Sequence, residues 1–260
     1  MRVSIITTSF NSGPTIRSTI ESVLGQTYAD IEYIVVDGNS KDDTVDIVRE
    51  FEPRFGGRMR WVSEPDKGIY DAMNKGVAMA TGDVVGFLNS DDFFTSPLVV
   101  EKLVRAMRKH GADAVYGDIH FVDPSDLGKC TRYYSSKFFR RRLMLFGFMP
   151  AHPSFYCRKE VFDRLGTFDT SFRVAADFEL LLRFIYLGRI KTHYVHLDCV
   201  TMRSGGASTS GWESHRRIFS DHMRAYRKNG VRTNALLDIA RYGYKVYEMG
   251  KYIVFGPERT

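Results

Sequence analysis

Val84-Val85-Gly86-Phe87-Leu88 runs without a break into Asn89-Ser90-Asp91-Asp92. An apolar run of this length reads as a strand buried on both faces, and such strands belong to parallel α/β sheets. Ligands of those sheets bind in the crevice beyond the carboxyl ends of the strands, where Asp91 and Asp92 stand. Two adjacent carboxylates repel unless a positive charge lies between them, and a divalent cation carrying a phosphorylated ligand supplies one. A solvated cap on the helix that starts near Pro97 accounts for one of these acids, hardly for both beside Asn89.

Outward from that strand, residues 1–125 alternate strand and helix signals. Val3-Ser4-Ile5-Ile6 is a strand ending in Thr7-Thr8-Ser9-Phe10-Asn11. A helix follows, with Asn11 or Ser12 as cap, Pro14 in its first turn, and Ile16, Ile20, Val23 and Leu24 on one face. Residues 31–36 form a second strand ending at Asp37-Gly38-Asn39-Ser40, and Ser40 with Asp43 has capping-box spacing for the next helix. Trp61-Val62-Ser63-Glu64 is a short third strand. After Pro65, Ile69, Ala72, Met73, Gly76, Val77 and Ala80 make a helical stripe small enough to lie close on a sheet. A helix from Pro97 and an alternating strand through Val115, Gly117, Ile119 and Phe121 complete the rhythm. It predicts an α/β fold with a right-handed, Rossmann-like, mostly parallel sheet and helices on both faces. Strands of one direction share a carboxyl edge, so residues 7–11, 37–40 and 89–92 should converge on one crevice.

The second half is less regular. Residues 137–146 mix aromatics with Arg140, Arg141 and Arg142; Val161, Phe162 and Leu165 mark one helix, and Asp177 opens another. The division expected is 1–125 for ligand binding, 126–230 as a less regular half, and 231–260 as a basic, aromatic helical tail.

The chain has 260 residues, 43% of them hydrophobic, which argues against disorder, and a net charge of +6. That excess suits an anionic ligand, an anionic membrane surface or nucleic acid without choosing among them. Cys130, Cys157 and Cys199 are scattered without CxxC spacing, which favours a reducing compartment. Met1-Arg2-Val3-Ser4 turns polar too early for a signal peptide, and no window approaches the roughly 18 apolar residues of a membrane span. A cytoplasmic protein is expected. The basic aromatic segments 137–148 and 241–255 suit peripheral contact with the inner face of a membrane, or equally core aromatics beside solvated charges. No GxGxxG, no GxxxxGK[ST] and no nucleic-acid module is present, which argues against a dehydrogenase, a P-loop ATPase and a nucleic-acid-binding protein.

Several separate motifs resemble one family. Ser4-Ile5-Ile6-Thr7-Thr8-Ser9-Phe10-Asn11, Glu32-Tyr33-Ile34-Val35-Val36-Asp37-Gly38-Asn39-Ser40 and Gly82-Asp83-Val84-Val85-Gly86-Phe87-Leu88-Asn89-Ser90-Asp91-Asp92 resemble the inverting family 2 glycosyltransferases of GT-A fold. Asp66-Lys67-Gly68-Ile69-Tyr70-Asp71-Ala72-Met73-Asn74-Lys75-Gly76 is similar to the colanic-acid and exopolysaccharide branch. The likeness resumes at His152-Pro153-Ser154-Phe155-Tyr156 and runs to Ala176-Asp177-Phe178-Glu179-Leu180. It implies a nucleotide-sugar donor, usually a UDP-sugar, and Mn2+ or Mg2+. The acceptor it implies is a glycan or a polyprenyl-diphosphate-linked glycan of bacterial polysaccharide synthesis. Phe10 would stack on the base, Asp37 bind it, Asp91 contact the ribose, Asp92 coordinate the metal and Asp177 act as general base, while Thr8, Asn11, Lys67 and Asp71 would help the donor site. The family usually has a second aspartate where Gly38 stands, an acidic residue at Ala176, and often Asp at Asn89.

Each assignment has a plainer rival. Asp37 can cap its own turn beside glycine. Asp177 can cap its helix, and as a base there it would be held anionic by the helix dipole. His152 can line an acceptor site or a structural His-Pro turn. Arg203, before Ser204-Gly205-Gly206-Ala207-Ser208, can cover phosphates or sit in a surface loop, and Lys67 and Asp71 can be the solvated face of a helix. A noncatalytic nucleotide-sugar-binding protein on the same fold is the remaining alternative.

Overall fold

The computed structural model describes residues 1–205 and 211–233. Nine strands form one sheet: β1 (Val3–Ser9), β2 (Ile31–Asp37), β3 (Met59–Ser63), β4 (Val84–Phe87), β5 (Phe93–Phe94), β6 (Ala114–Asp123), β7 (Asp126–Tyr134), β8 (Tyr156–Arg158) and β9 (Thr192–Arg203), in the order β3-β2-β1-β4-β8-β6-β9-β5, with β7 hairpinned onto β6. The first four pair in parallel. β8 pairs antiparallel with β4 and β6, and β9 runs parallel to β6, so six strands point one way and only β5, β7 and β8 oppose them. The mostly parallel sheet is therefore present, with a short reversed strand inserted at its centre.

Helices cover both faces because the long strands are apolar on both. Val3 and Ile5 of β1 face α1 (Gly13–Leu24), α2 (Thr44–Phe51) and α4 (Val99–His110), while Ile6 belongs to the opposite core with α3 (Ile69–Met79), α5 (Lys159–Leu165) and α6 (Ala176–Leu181). The stripe on α3 lies as close as its small residues predict: a Cβ on Gly76 would collide with Ile6 Cγ2. α6 continues as a π-helical turn, Leu182–Leu187, and α7 (Gly211–Lys228) packs over it through Phe178 and His222, whose rings stack 3.8 Å apart.

One local expectation fails. Ser40 does not open α2. Its hydroxyl donates to Asp37 and accepts the Asn11 N–H, and α2 starts at Thr44. Segment 137–148 places Phe139 and Met144 in the core and leaves Phe138 68% exposed. The 241–255 segment, the 231–260 tail beyond residue 233, and 206–208 of the loop after Arg203 lie outside the described residues. Among the described residues no helix is long and apolar enough to cross a membrane.

Candidate active site

Because β1, β2, β4, β6 and β9 share a direction, their carboxyl ends open on one side, and a cleft of about 670 Å³ lies there. The end of β1 and the loop after it supply Thr8, Phe10 and Asn11, the loop after β4 supplies Asn89, Ser90 and Asp91, and β9 delivers Arg203. The convergence expected of the polar clusters is realised for residues 8–12 and 89–91. The turns at the ends of β1 and β2 use left-handed backbone at Asn11 (φ 49°) and Asn39 (φ 65°), a conformation asparagine tolerates better than most residues. Phe10, 63% exposed, offers an uncovered ring face on the cleft wall.

Asp37 stands at the end of β2 but does not line the cleft. Its carboxylate is 1% exposed and accepts from Ser9 (3.1 Å), the Ser40 amide (2.9 Å), the Ser40 hydroxyl and Ser63 (2.6 Å). With four donors bound it fixes the loop, and a ligand could reach it only by displacing a serine. Asp66 lines the cleft instead. A Cβ on Gly38 would sit 2.5 Å from Asp66 Oδ2 and 3.3 Å from the Phe10 ring, so glycine there lets carboxylate and ring meet. Lys67, which precedes α3, and Asp71, in its first turn, lie outside the lining. The Lys67 amide donates to Asp71 Oδ2 at 3.0 Å, closing the first turn of α3.

Asp91 faces the cleft, and burial raises its pKa against the pull of Arg203. Asp92 sits behind it, 0% exposed. Burial and then the Asp91 charge push its carboxyl well above the usual range. Its Oδ2 accepts from Asn89 at 3.3 Å and the Arg203 amide and charge pull weakly against the rise, while Oδ1 has no partner in good hydrogen-bond geometry. An orphaned carboxylate oxygen next to a second acid is chemically suited to a hard divalent cation. Among the described residues no group of three or more His, Cys, Asp or Glu could hold a metal. A Mg2+- or Mn2+-like ion therefore finds two carboxylates at most here, the usual protein share when phosphate oxygens complete its shell. Arg203 is anchored rather than loose: its guanidinium donates to the Asp91 carbonyl and to Ser18 Oγ (3.0 Å) and lies 5.1 Å over the Phe93 ring. Arg173, which sequence reading passed over, adds a second guanidinium to the cleft.

Asp177 lies at the far end of the cleft, where a second cavity of about 260 Å³ begins. Its approach segment is held from two sides. Tyr70 of α3 donates to the Val174 carbonyl, and Asp221 of α7 accepts the Val174 and Ala175 amides at 3.4 Å. The expectation that the helix keeps this carboxylate dependably anionic is corrected by its surroundings. Asp177 Oδ1 accepts the neighbouring Phe178 amide (2.8 Å), which favours the charged form, but burial wins, raising the pKa to about 6. His152 lines both cavities, 7% exposed and stacked on Phe87 at 5.3 Å. Burial lowers its pKa to about 4, so it is neutral at physiological pH.

The arrangement can bind a planar base, oppose the charge of a diphosphate and place a near-neutral base beside it. Comparison with known proteins gives the family and the fold. The family model described as "Glycosyl transferase family 2" matches residues 4–166. A PGL/p-HBAD biosynthesis glycosyltransferase of Mycobacterium bovis is 30% identical over 80% of this chain and 79% of its own. An uncharacterised glycosyltransferase of Mycobacterium tuberculosis is 36% identical over 85% and 82%. The fold is shared with S. aureus TarS residues 1–349 (TM-score 0.66, 17% identity), of which this chain spans 65% while 86% of this chain is covered. It is shared also with a mannosyltransferase of Pyrobaculum calidifontis in complex with GDP-Man and Mn2+ (TM-score 0.64, 20% identity, 86% of this chain and 64% of that one).

Proposed function

Because the chain belongs to glycosyl transferase family 2, we propose that it moves a sugar from a UDP-sugar, with inversion, onto a hydroxyl of a glycan or lipid-linked glycan in bacterial polysaccharide synthesis. The observation that carries the reading is the position of Asp177, shared by the cleft and the second cavity. A base there can face an acceptor on one side and a donor on the other. The acceptor oxygen attacks the anomeric carbon, its proton passes to an Asp177 carboxylate oxygen, and the bond from that carbon to the diphosphate oxygen breaks. A pKa near 6 leaves the carboxylate mostly ionised at neutral pH and a better proton acceptor than an ordinary aspartate.

Phe10 stacks on the base with Asp66 at its side, and Asp91 meets the ribose. Asp92, with Asp91 next to it, would hold Mn2+ or Mg2+, which when bound supplies Lewis-acid stabilisation to the leaving diphosphate. Arg203 and Arg173 add positive charge over the same phosphates. In this division of labour residues 1–125 serve the donor, 126–230 the acceptor and base, and 231–260 form a basic tail. Phe138, exposed beside Lys137 and Arg140, supports contact with an anionic membrane surface that carries the acceptor.

The test is a thermal-shift and calorimetric screen of nucleoside diphosphates and their sugars with and without Mn2+. Manganese-dependent binding of UDP, lost in Asp92→Asn and kept in Asp177→Asn, is the expected result. Binding that is indifferent to Asp92, or absent for every nucleotide, removes the assignment.

A further inference from the structure

The second cavity has a composition that its position beside a base does not require. Among the described residues apolar side chains, Phe121, Phe148, Met149, Pro150, Met202 and Ile218 among them, supply most of its wall, and beside His152 and His222 its ionisable groups are Asp177, Arg132 and the Tyr134 phenol. A pocket built for a sugar ring needs donors and acceptors free to meet several hydroxyls, because each unpaired polar contact is costly once water is excluded. Two of the polar side chains here spend a hydroxyl proton elsewhere. Tyr134 OH donates to the Met149 carbonyl at 2.7 Å and Ser135 Oγ to Asp118 at 3.1 Å. His152 and His222 lie stacked on Phe87 and Phe178. The Arg132 guanidinium spreads over the rings of Phe121 (5.2 Å) and Tyr134 (5.7 Å), which presents a flat cationic surface more than a fork aimed inward.

Size points the same way. An apolar cavity of about 150 Å³ accommodates one benzene molecule, so about 260 Å³ takes one substituted aromatic ring or a short alkyl chain. It is too small for a disaccharide.

We propose that the acceptor carries an apolar aglycone, aryl or alkyl, next to its reacting hydroxyl or one sugar away, and that this cavity binds it. The inference rests on the glycosyltransferase reading and narrows it from acceptors in general to those with a hydrophobic anchor. The aglycone packs against Phe121 and Phe148, and its filling of the cavity holds the hydroxyl against Asp177 with water excluded.

The test uses the full chain, with and without saturating UDP and Mn2+, titrated calorimetrically with phenyl, octyl and methyl β-glucosides. Phenyl or octyl glucoside should bind at least tenfold more tightly than methyl glucoside. Phe148→Ala and, independently, Ile218→Ala should each bring that ratio to within about threefold while leaving UDP affinity unchanged. Both side chains are only partly buried, so truncation spares the core, and two variants guard against one misfolding. Equal or undetectable binding of all three glucosides overturns the inference, as does a preference that survives both variants. If UDP fails to bind, the donor reading falls by itself, because the aglycone preference is also read without nucleotide.

Discussion

Replacing Asp177 with asparagine should cripple transfer and make the protein more stable. The carboxyl pKa rises from 3.8 to about 6 because the group is enclosed by protein and has one backbone donor. Roughly two pH units at about 1.4 kcal/mol each is a penalty near 3 kcal/mol for ionising this side chain in the folded protein. Water still reaches it through the cleft, so about 2 kcal/mol is the better expectation. The sign follows from the raised value. The protonated form carries no penalty below pH 3.8, the stability advantage is lost as pH rises through about 6, and the full cost applies at neutral pH. Asparagine, neutral and nearly isosteric, avoids it. Chemical denaturation at pH 7.5 should show Asp177→Asn more stable by about 1–3 kcal/mol, a melting increase of roughly 4–8 °C. The two proteins should converge near pH 4. Transfer in the same variant should fall by about 10²–10⁴-fold, the usual contribution of a positioned base, with UDP affinity unchanged. An unchanged melting temperature at pH 7.5, or a gain that persists undiminished at pH 4, would refute the account of burial around Asp177.

The same titration predicts that turnover under saturating donor falls tenfold per pH unit below about pH 6, read in a pH–rate profile of nucleotide release. Phe10→Ala should weaken UDP binding by about 5–100-fold, the range for losing one base–aromatic stack, while leaving the melting temperature unchanged because the ring is already exposed. Chelation by EDTA, or Asp92→Asn, should remove the manganese-dependent part of UDP binding in calorimetry. Gly76→Ala should cost about 1–3 kcal/mol in denaturant unfolding, since the added methyl lands on Ile6.

The parallel half was legible because periodicity and position agree there. The apolar-rich runs of β1, β2 and β4 and the stripe on α3 name both their elements and their faces. The inserted strand β8 has three residues, too few for a pattern. β9 was missed because it mixes His193, His196 and Asp198 with half-buried positions and never alternates cleanly. Of the site, Phe10, Asp91 and Asp177 appear on cavity walls as their motifs suggest. Asp66 sits inside the 66–76 motif but at no strand end. Attention to strand ends selects Asp37, whereas the contact that brings Asp66 inward is the missing side chain of Gly38, visible only once the two loops meet. Asp177 shows a different limit: heading a helix predicts a lowered pKa, and only the packing of Phe178, Val174 and the cavity wall reveals that burial prevails.

The distribution of unmet polar groups argues that the donor edge is built for an occupant. Among the described residues, buried side-chain atoms without a partner are Thr8 Oγ1, Asp92 Oδ1, Tyr156 OH and Asp198 Oδ1. Two of these four belong to the same cleft: Thr8, near the end of β1, lines it, and Asp92 lies behind Asp91, which lines it too. Each such group costs about 1–3 kcal/mol, more when charged, and the neighbouring Asp91 adds repulsion to Asp92. Asp37, one strand away, shows that this fold can satisfy a buried carboxylate completely when structure alone is at stake. The contrast between a saturated acid at the end of β2 and an orphaned one after β4 is what a binding edge predicts and a purely structural edge does not. A ligand that brings positive charge to Asp92 should therefore raise stability by more than its contacts with the exposed cleft wall would suggest. Manganese with UDP should shift the melting temperature further than the two shifts measured separately would add.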